Sequence, residues 1–319
     1  MSIFISIVAY ADPVLPLTLR RAIECAQHPE TLHFGLVDQF RDGQAPIDAK
    51  SVAPAKLTQV RLPMLYARGP CWARALAQTF YQGEDWFFQI DAHTDFEKDW
   101  DVRMAAQAQA LQPGNGAGAV FSSYPSPFHL ENGVPKPAPV TQRALVHVVR
   151  QDEQFSQEGH PVLPFEAKPA EVDGAVRGVH VGAGCFFAPG RFAHYFPYDP
   201  LFYFHGEEQA LALRLFTRGW DIYHVPALPV YHLYHSPADG QVERPMHWDK
   251  EVDRQRPQTW WTLEQRSRLR LTELVEGRDL GVYSLGRARS LADYAALSGI
   301  DYARRTIEPK AYSVNRNVG

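Results

Sequence analysis

Apolar residues in this chain fall into short unbroken runs separated by segments of helical periodicity, and that alternation predicts the fold class. Ile3–Tyr10, IFISIVAY, is a continuous β-rich run closed by the turn Ala11-Asp12-Pro13. In the LPLTLRRAIECAQ that follows, Leu15, Leu19, Ala22, Ile23 and Ala26 recur at helical spacing. The unit then repeats: LHFGLVD (32–38) and KLTQVRL (56–62) read as strands, CWARALAQTFYQ (71–82) as a helix and DWFFQID (85–91) as a strand. Strands apolar on both faces with helices between them imply an α/β fold around a largely parallel sheet. Open sheets of this kind bind ligands beyond the carboxyl ends of their strands, where strand order reverses. Tyr10, Asp38 and Asp91 stand at such ends.

Further along, EKDWDVRMAAQAQAL (97–111) reads as a helix, and the glycine cluster PGNGAGA (113–119) lacks the Lys-Ser/Thr of a phosphate loop, so it reads as a surface turn. Prolines dominate 125–169 (PSPF, PKPAP, PVLPF), a stretch long for a structureless loop, so it predicts a functional flap or excursion rather than a linker between independent domains. Order resumes at GVHVGAGCFFAPGRF (178–192), followed by a helix, EEQALALRLFTR (207–218), and two short strands, DIYHVP and PVYHLYH. From Arg244 the chain is rich in charge and Trp with a helical TLEQRSRLRLTELV (262–275), and the tail after Ala303 reads as loosely ordered.

Charge removes some partners. The 319 residues carry 32 basic and 36 acidic side chains, a formal charge of −4, which gives no electrostatic case for nucleic acid or anionic lipid as the main partner. Cys25, Cys71 and Cys185 are odd in number and far apart, so they read as reduced core thiols. The apolar start lacks a basic leader and is too short to span a bilayer, so it reads as a first strand and the chain as cytoplasmic, without a membrane span.

The chemistry concentrates at the end of WFFQIDAHTDF (86–96). On an extended strand residues two apart share a face, so Asp91 and His93 can reach one cation, and His232 in VYHLYH is a candidate third ligand. A carboxylate with two imidazoles suits a borderline divalent ion such as Mn²⁺. An Asp-x-His triplet also arises by chance, and a structural histidine is the alternative for each of the two.

Several ordered blocks, YARGPCWARALAQTFYQGEDWFFQIDAHTDF, GAGCFFAPGRF, PYDPLFYFHGEEQALALRLFTRGWDIYHVPALPVYHLYH and RSLADYAALSGIDY, resemble the retaining polypeptide N-acetylglucosaminyltransferases. These are GT-A-fold enzymes that include a cytoplasmic enzyme capping hydroxyproline on an Skp-type ubiquitin-ligase subunit, and the polypeptide GalNAc-transferases are similar more distantly. The resemblance spans nearly all of 1–302. It implies a Rossmann-like, mainly parallel mixed sheet flanked by helices, with a C-terminal helical extension. It further implies a UDP-GlcNAc donor, Mn²⁺ or Mg²⁺, and a hydroxyl acceptor on a protein or peptide.

Residue by residue, the resemblance makes Asp91-Ala92-His93 the variant of the Asp-x-Asp motif and His232 the later metal ligand. It nominates Arg68, Gly69 and Arg74 near the diphosphate and uridine, and Ala9, Tyr10 and Asp38 around the uracil. Gly182, Ala183 and Gly184 become the loop under the donor sugar, Glu207 a ligand of sugar hydroxyls, and His247 and Trp248 part of a lid over the diphosphate. Glu208 replaces an Asn of the distant family and keeps an open role, with Glu207, Glu208 and Arg74 the catalytic candidates.

Plainer readings stand beside these. Arg68 and Arg74 also suit surface charges flanking a helix, Glu207 and Glu208 suit a helix N-terminus, and Trp260 and Trp261 suit an aromatic core. The organisation that follows is a catalytic domain over 1–243, split into a nucleotide-binding half (1–124), a Pro-rich insertion (125–177) and a donor-sugar and acceptor half (178–243). A lid and helical extension (244–302) and a tail (303–319) complete it. The expected activity is metal-dependent, retaining transfer of GlcNAc to a hydroxyl. The rivals are a saccharide or small-metabolite acceptor, a zinc hydrolase on the same three ligands, and a silent UDP-sugar-binding protein.

Overall fold

A computed structural model describes residues 1–113, 117–151, 153, 155, 160–234 and 242–314. The glycine cluster at 114–116, part of the Pro-rich segment and the last five residues lie outside the described residues. The chain begins β1 (Ile3–Tyr10), α1 (Leu15–Cys25), β2 (Leu32–Phe40), β3 (Lys56–Pro63), α2 (Pro70–Gln78), β4 (Trp86–Asp91), β5 (Thr94–Phe96) and α3 (Trp100–Leu111). It continues through β6 (Ala119–Ser122), β7 (Ser126–Glu131), β8 (Val134–Pro137), β9 (Leu145–Val149), β10 (Phe165–Pro169), β11 (Val176–Gly178) and β12 (Cys185–Pro189). Then come α4 (Phe192–Tyr195), α5 (Glu207–Thr217), β13 (Asp221–His224), β14 (Val230–His232), α6 (Lys250–Asp253), α7 (Trp260–Val275) and α8 (Leu291–Ser298).

Eight strands form the main sheet in the order β11-β13-β6-β12-β4-β1-β2-β3. β1, β2, β3 and β4 pair in parallel, as does β13 with β6, whereas β12 runs antiparallel between β4 and β6. The chain steps outward from β1 to β3 and then returns to place β4 on the other side of β1, so the strand order reverses between β1 and β4. Phe4, Ile5, Ile7, Phe34, Leu36, Phe88 and Ile90 on these strands are fully buried, the burial on both faces that the unbroken apolar runs require.

A second sheet, β5-β14-β7-β8, stands beside the first. Its register sets His232 opposite Thr94, and the Leu233 N–H donates to the His93 carbonyl at 3.0 Å. The C-terminal helices share a core with the sheet: Leu271, Leu274 and Tyr294 pack with Phe186, Phe192 and Leu211.

Three expectations change. The Pro-rich stretch 125–169 carries β7, β8, β9 and β10, because its prolines fall at strand ends and edges where no ladder N–H is needed. The tail is ordered through 314: Ala311 is fully buried and the Tyr312 hydroxyl donates to the Glu153 carbonyl at 2.8 Å. Trp261 is half exposed rather than core, with the Arg268 guanidinium 5.3 Å from its ring. All three cysteines are buried and free, and among the described residues no helix is long and apolar enough to cross a membrane.

Candidate active site

At the reversal point between β1 and β4 a cavity of about 710 Å³ opens beyond the strand ends. Asp91 closes β4, but the strand stops there: Ala92 and His93 form a turn before β5 resumes at Thr94. Asp91 and His93 therefore meet through a turn and not through the two-residue period of a strand. Thr18 of α1 fixes that turn, its hydroxyl donating to the Ala92 carbonyl at 2.9 Å and accepting the Thr94 N–H at 3.0 Å. β14 then brings His232 alongside.

One ligand atom from each of Asp91, His93 and His232 lies within 4.8 Å of the other two. Asp91 Oδ2 is 3.1 Å from His232 Nε2 and 3.9 Å from His93 Nε2, close to the roughly 3 Å that separates neighbouring ligands on a cation bound at about 2.1 Å. His93 Nδ1–H donates to Asp12 Oδ2 at 2.8 Å, which leaves Nε2 as the lone-pair nitrogen, the arrangement that orients a metal-ligating imidazole. Asp12 is itself fixed, its other oxygen accepting the Val14 N–H at 2.8 Å.

Burial alone raises the Asp91 carboxyl, but the His232 hydrogen bond and the charges of His93 and Arg74 outweigh it and hold the group well below the usual carboxylate range. Burial also lowers His232, only partly offset by Asp91, so its imidazole favours the neutral, metal-binding form. The donor set fits a borderline divalent cation.

Arg74 links this cluster to α5. The helix α2 starts at Pro70 after Gly69, whose φ of +91° and whose contact with Tyr203 leave no room for a Cβ. One turn on, Arg74 is buried, with Nη2 3.1 Å from Asp91 Oδ1 and Nη1 on Glu207 Oε1. The Tyr198 hydroxyl donates to the same Glu207 oxygen at 2.6 Å, and the Cys71 thiol donates to the other at 2.8 Å. Burial works against the Arg74 charge, but Glu207, Tyr198 and Asp91 more than compensate. Burial, and next Glu207, push the Cys71 thiol well up, so it is a donor and no nucleophile.

The remaining expected residues divide. Ala183, Gly184, Glu208, Tyr10, Gly69, His247 and Trp248 line the cavity. At Gly184 a Cβ would come 2.6 Å from Asp91 Oδ2. Tyr10 is capped by Arg256, whose Nη2 donates to the phenol oxygen at 2.6 Å while Nη1 donates to the His247 carbonyl at 2.7 Å. His247 Nδ1 lies 2.5 Å from the Tyr203 hydroxyl, and burial, then Arg256, push its ring down to about 3.

Four of the expected residues do not line the cavity. Arg68 is exposed beside Trp72, 5.8 Å from its ring, and is not part of the cavity wall. Asp38 is buried and engaged by Arg61 Nε at 2.7 Å, which ties β2 to β3. Ala9 and Gly182 lie behind the wall, Gly182 packed against Tyr124. Sequence reasoning missed Asp12, Thr18, Cys71, Tyr198, His180 and Arg256. Asp12, in the turn at the end of the first strand, carried a positional signal, whereas Tyr198 and Arg256 come from segments with none.

The reversal-point cavity and the mixed sheet define a glycosyltransferase of GT-A fold. The Glycosyltransferase (GlcNAc) family model matches residues 47–304, and the chain belongs to that family. Among solved structures the chain is similar to GalNAc-T7 with UDP, GalNAc and Mn²⁺, at 14% identity and a TM-score of 0.55 over 74% of this chain and 44% of that one. The chain thus spans under half the length of that structure, and the likeness is one of fold. It is also similar to TarS 1–349 of S. aureus, at 11% identity and a TM-score of 0.47 over 96% of this chain and 71% of that one. To TarS 1–349 in complex with UDP-GlcNAc the values are 10% and 0.43, over 98% and 83%. Both TarS scores are too low to carry weight. No curated protein sequence matches the chain.

Proposed function

We propose that the protein transfers N-acetylglucosamine from UDP-GlcNAc to a hydroxyl on a protein or peptide, with retention of anomeric configuration. The observation that carries this reading is the Asp91, His93 and His232 cluster at the strand-order reversal, joined through Arg74 to Glu207. Mn²⁺, or Mg²⁺, would be held by those three side chains and would supply charge neutralisation at the departing diphosphate. GalNAc-T7, similar in fold, is crystallised with UDP, GalNAc and Mn²⁺, which motivates this choice of donor class and cation.

The chain's own residues account for the rest. Tyr10 and Gln39, at the ends of β1 and β2, line the cavity where a uracil ring would lie. Arg74 supplies a fixed guanidinium beside the diphosphate, with no reorganisation needed as charge develops there. Glu207, held by Arg74, Tyr198 and Cys71, is a preset acceptor for sugar hydroxyls. The acceptor attacks from the face the diphosphate leaves, and its proton passes to the departing phosphate oxygen. No protein nucleophile is needed.

The test is calorimetric titration of UDP with and without Mn²⁺, repeated with Asp91→Ala and His232→Ala. Metal-dependent binding lost in both variants is the expected outcome. Metal-indifferent binding, or none, would refute the reading and favour hydrolysis by a zinc ion at the same ligands. The configuration is read from the anomeric proton of the product, and the acceptor class from whether radiolabelled donor marks protein bands or soluble sugars in a lysate.

A further inference from the structure

Two adjacent carboxylates open α5, and they have unlike surroundings. Glu207 is buried among Arg74, Tyr198 and Cys71, whereas Glu208 turns to the cavity wall. Its Oε1 accepts the Ala183 N–H at 2.7 Å, and its Oε2 lies 3.4 Å from His180 Nε2. Ala183 precedes Gly184, the residue in contact with Asp91, so Glu208 is anchored to the wall that flanks the metal-ligand cluster. About a third of its side chain, 35%, stays open.

His180 supports it from behind. It lines the cavity yet is 1% exposed, and its ring lies flat on Phe165, with centroids 3.6 Å apart and planes 2° from parallel. That stacking fixes the imidazole, and neither His180 nitrogen has a hydrogen-bond partner among the described residues, Nε2 lying near Glu208 Oε2 at 3.4 Å without hydrogen-bond geometry. A buried polar atom without a partner costs about 1–3 kcal/mol, so one at a cavity wall calls for an explanation. Among the described residues Glu208 makes no contact with Arg or Lys, unlike Glu207. Its second oxygen is therefore still available to accept a hydrogen bond.

We propose that Glu208 accepts a hydrogen bond from the hydroxyl nucleophile, a neutral alcohol or water, and that His180 is the positioning residue that fixes the carboxylate. This deepens the function proposed above and rests on it. The hydroxyl oxygen forms a bond to the anomeric carbon. The bond from that carbon to the β-phosphate oxygen breaks, its electron pair leaving with UDP, and the hydroxyl proton goes to that phosphate oxygen. Glu208 orients the hydroxyl and keeps no proton.

The experiment measures UDP release from UDP-GlcNAc with Mn²⁺, using water and added methanol as nucleophiles, together with the Kd of UDP and of UDP-GlcNAc. The variants are Glu208→Ala, Glu208→Gln and His180→Gln, each checked for an unchanged melting profile. Misplacing a nucleophile costs on the order of 100-fold, so Glu208→Ala should lower kcat about that much and His180→Gln about 10-fold, with both Kd values within twofold of wild type. Glu208→Gln keeps an accepting oxygen and should recover part of the loss. UDP-GlcNAc binding weakened relative to UDP would assign Glu208 to the donor sugar and overturn the proposal. So would unchanged turnover in Glu208→Ala, or a wild type that binds UDP-GlcNAc but transfers to neither nucleophile. A wild type that binds neither UDP nor UDP-GlcNAc would instead refute the transferase reading itself.

Discussion

Arg74 offers the sharpest test of how this site is held together, because one buried guanidinium satisfies two carboxylates from different elements. Removing one partner of a buried ion pair typically costs about 3–5 kcal/mol, since the other charge is left uncompensated. Arg74→Met should fall in that range, because Glu207 is equally buried and keeps only Tyr198 and Cys71. Arg74→Lys keeps the charge but not the fork. It loses one hydrogen bond to a charged group, worth about 1.5–3 kcal/mol. In Glu207→Gln the carboxylate charge is gone, so adding Arg74→Met strands no second charge on α5. The double variant should therefore be more stable than the sum of the singles by roughly 1.5–3 kcal/mol, within the range of coupling energies for residues in one network. Urea unfolding followed by tryptophan fluorescence gives the four free energies of the cycle. Additivity within about 0.5 kcal/mol, the figure for independent sites, would show that the Arg74–Glu207 contact does not bind the two elements together.

Asp12→Asn should weaken Mn²⁺-dependent UDP binding about 10- to 100-fold, the usual effect of losing the partner that orients a ligating imidazole, with little change in melting temperature; calorimetry checks it. Gly184→Ala should abolish that binding in a folded protein, because its Cβ would press on Asp91 Oδ2 at 2.6 Å, and wild-type affinity in this variant would contradict the placement of Asp91. Burial lowers His247 from 6.5 to about 3, so the unfolded chain takes up a proton there before the folded chain does. Its contribution to stability is complete above pH 6.5 and falls away as pH drops toward 3, with a slope of at most about 1.4 kcal/mol per unit and less where solvent screens it. Denaturant titrations between pH 4 and 7 should show a flatter acid limb in His247→Gln.

How much of this was legible in the sequence varied with the kind of signal. The strands β1, β2 and β4 were readable because burial on both faces leaves an unbroken apolar run, as in FFQID. The helices α2, α5 and α7 were readable from their periodic apolar faces. That Asp91, His93 and His232 would come together was legible from the Asp91-x-His93 pattern and the family resemblance, but the geometry was not: a turn held by Thr18 does what strand alternation was expected to do. Tyr198 and Arg256 were invisible, since a tyrosine or arginine in an irregular segment looks the same whether it faces solvent or a buried carboxylate. The strands of the Pro-rich segment were not legible, because proline counts report where ladder hydrogen bonds are missing, and strand ends and edges can spare them.

The register of β14 against β5 has a consequence for how the molecule is made. His232 and Asp91 are 141 positions apart, and His93 and Asp12 are 81 apart, so the candidate ligand set exists only once a loop spanning almost half the chain has closed. Closing such long loops comes late and slowly in folding. An amino-terminal fragment ending before residue 230 would carry Asp91 and His93 yet lack the third ligand. During synthesis the nascent chain accordingly presents only two members of the candidate ligand set until β14 has emerged and docked, so a cation that uses all three can be held only by the completed fold.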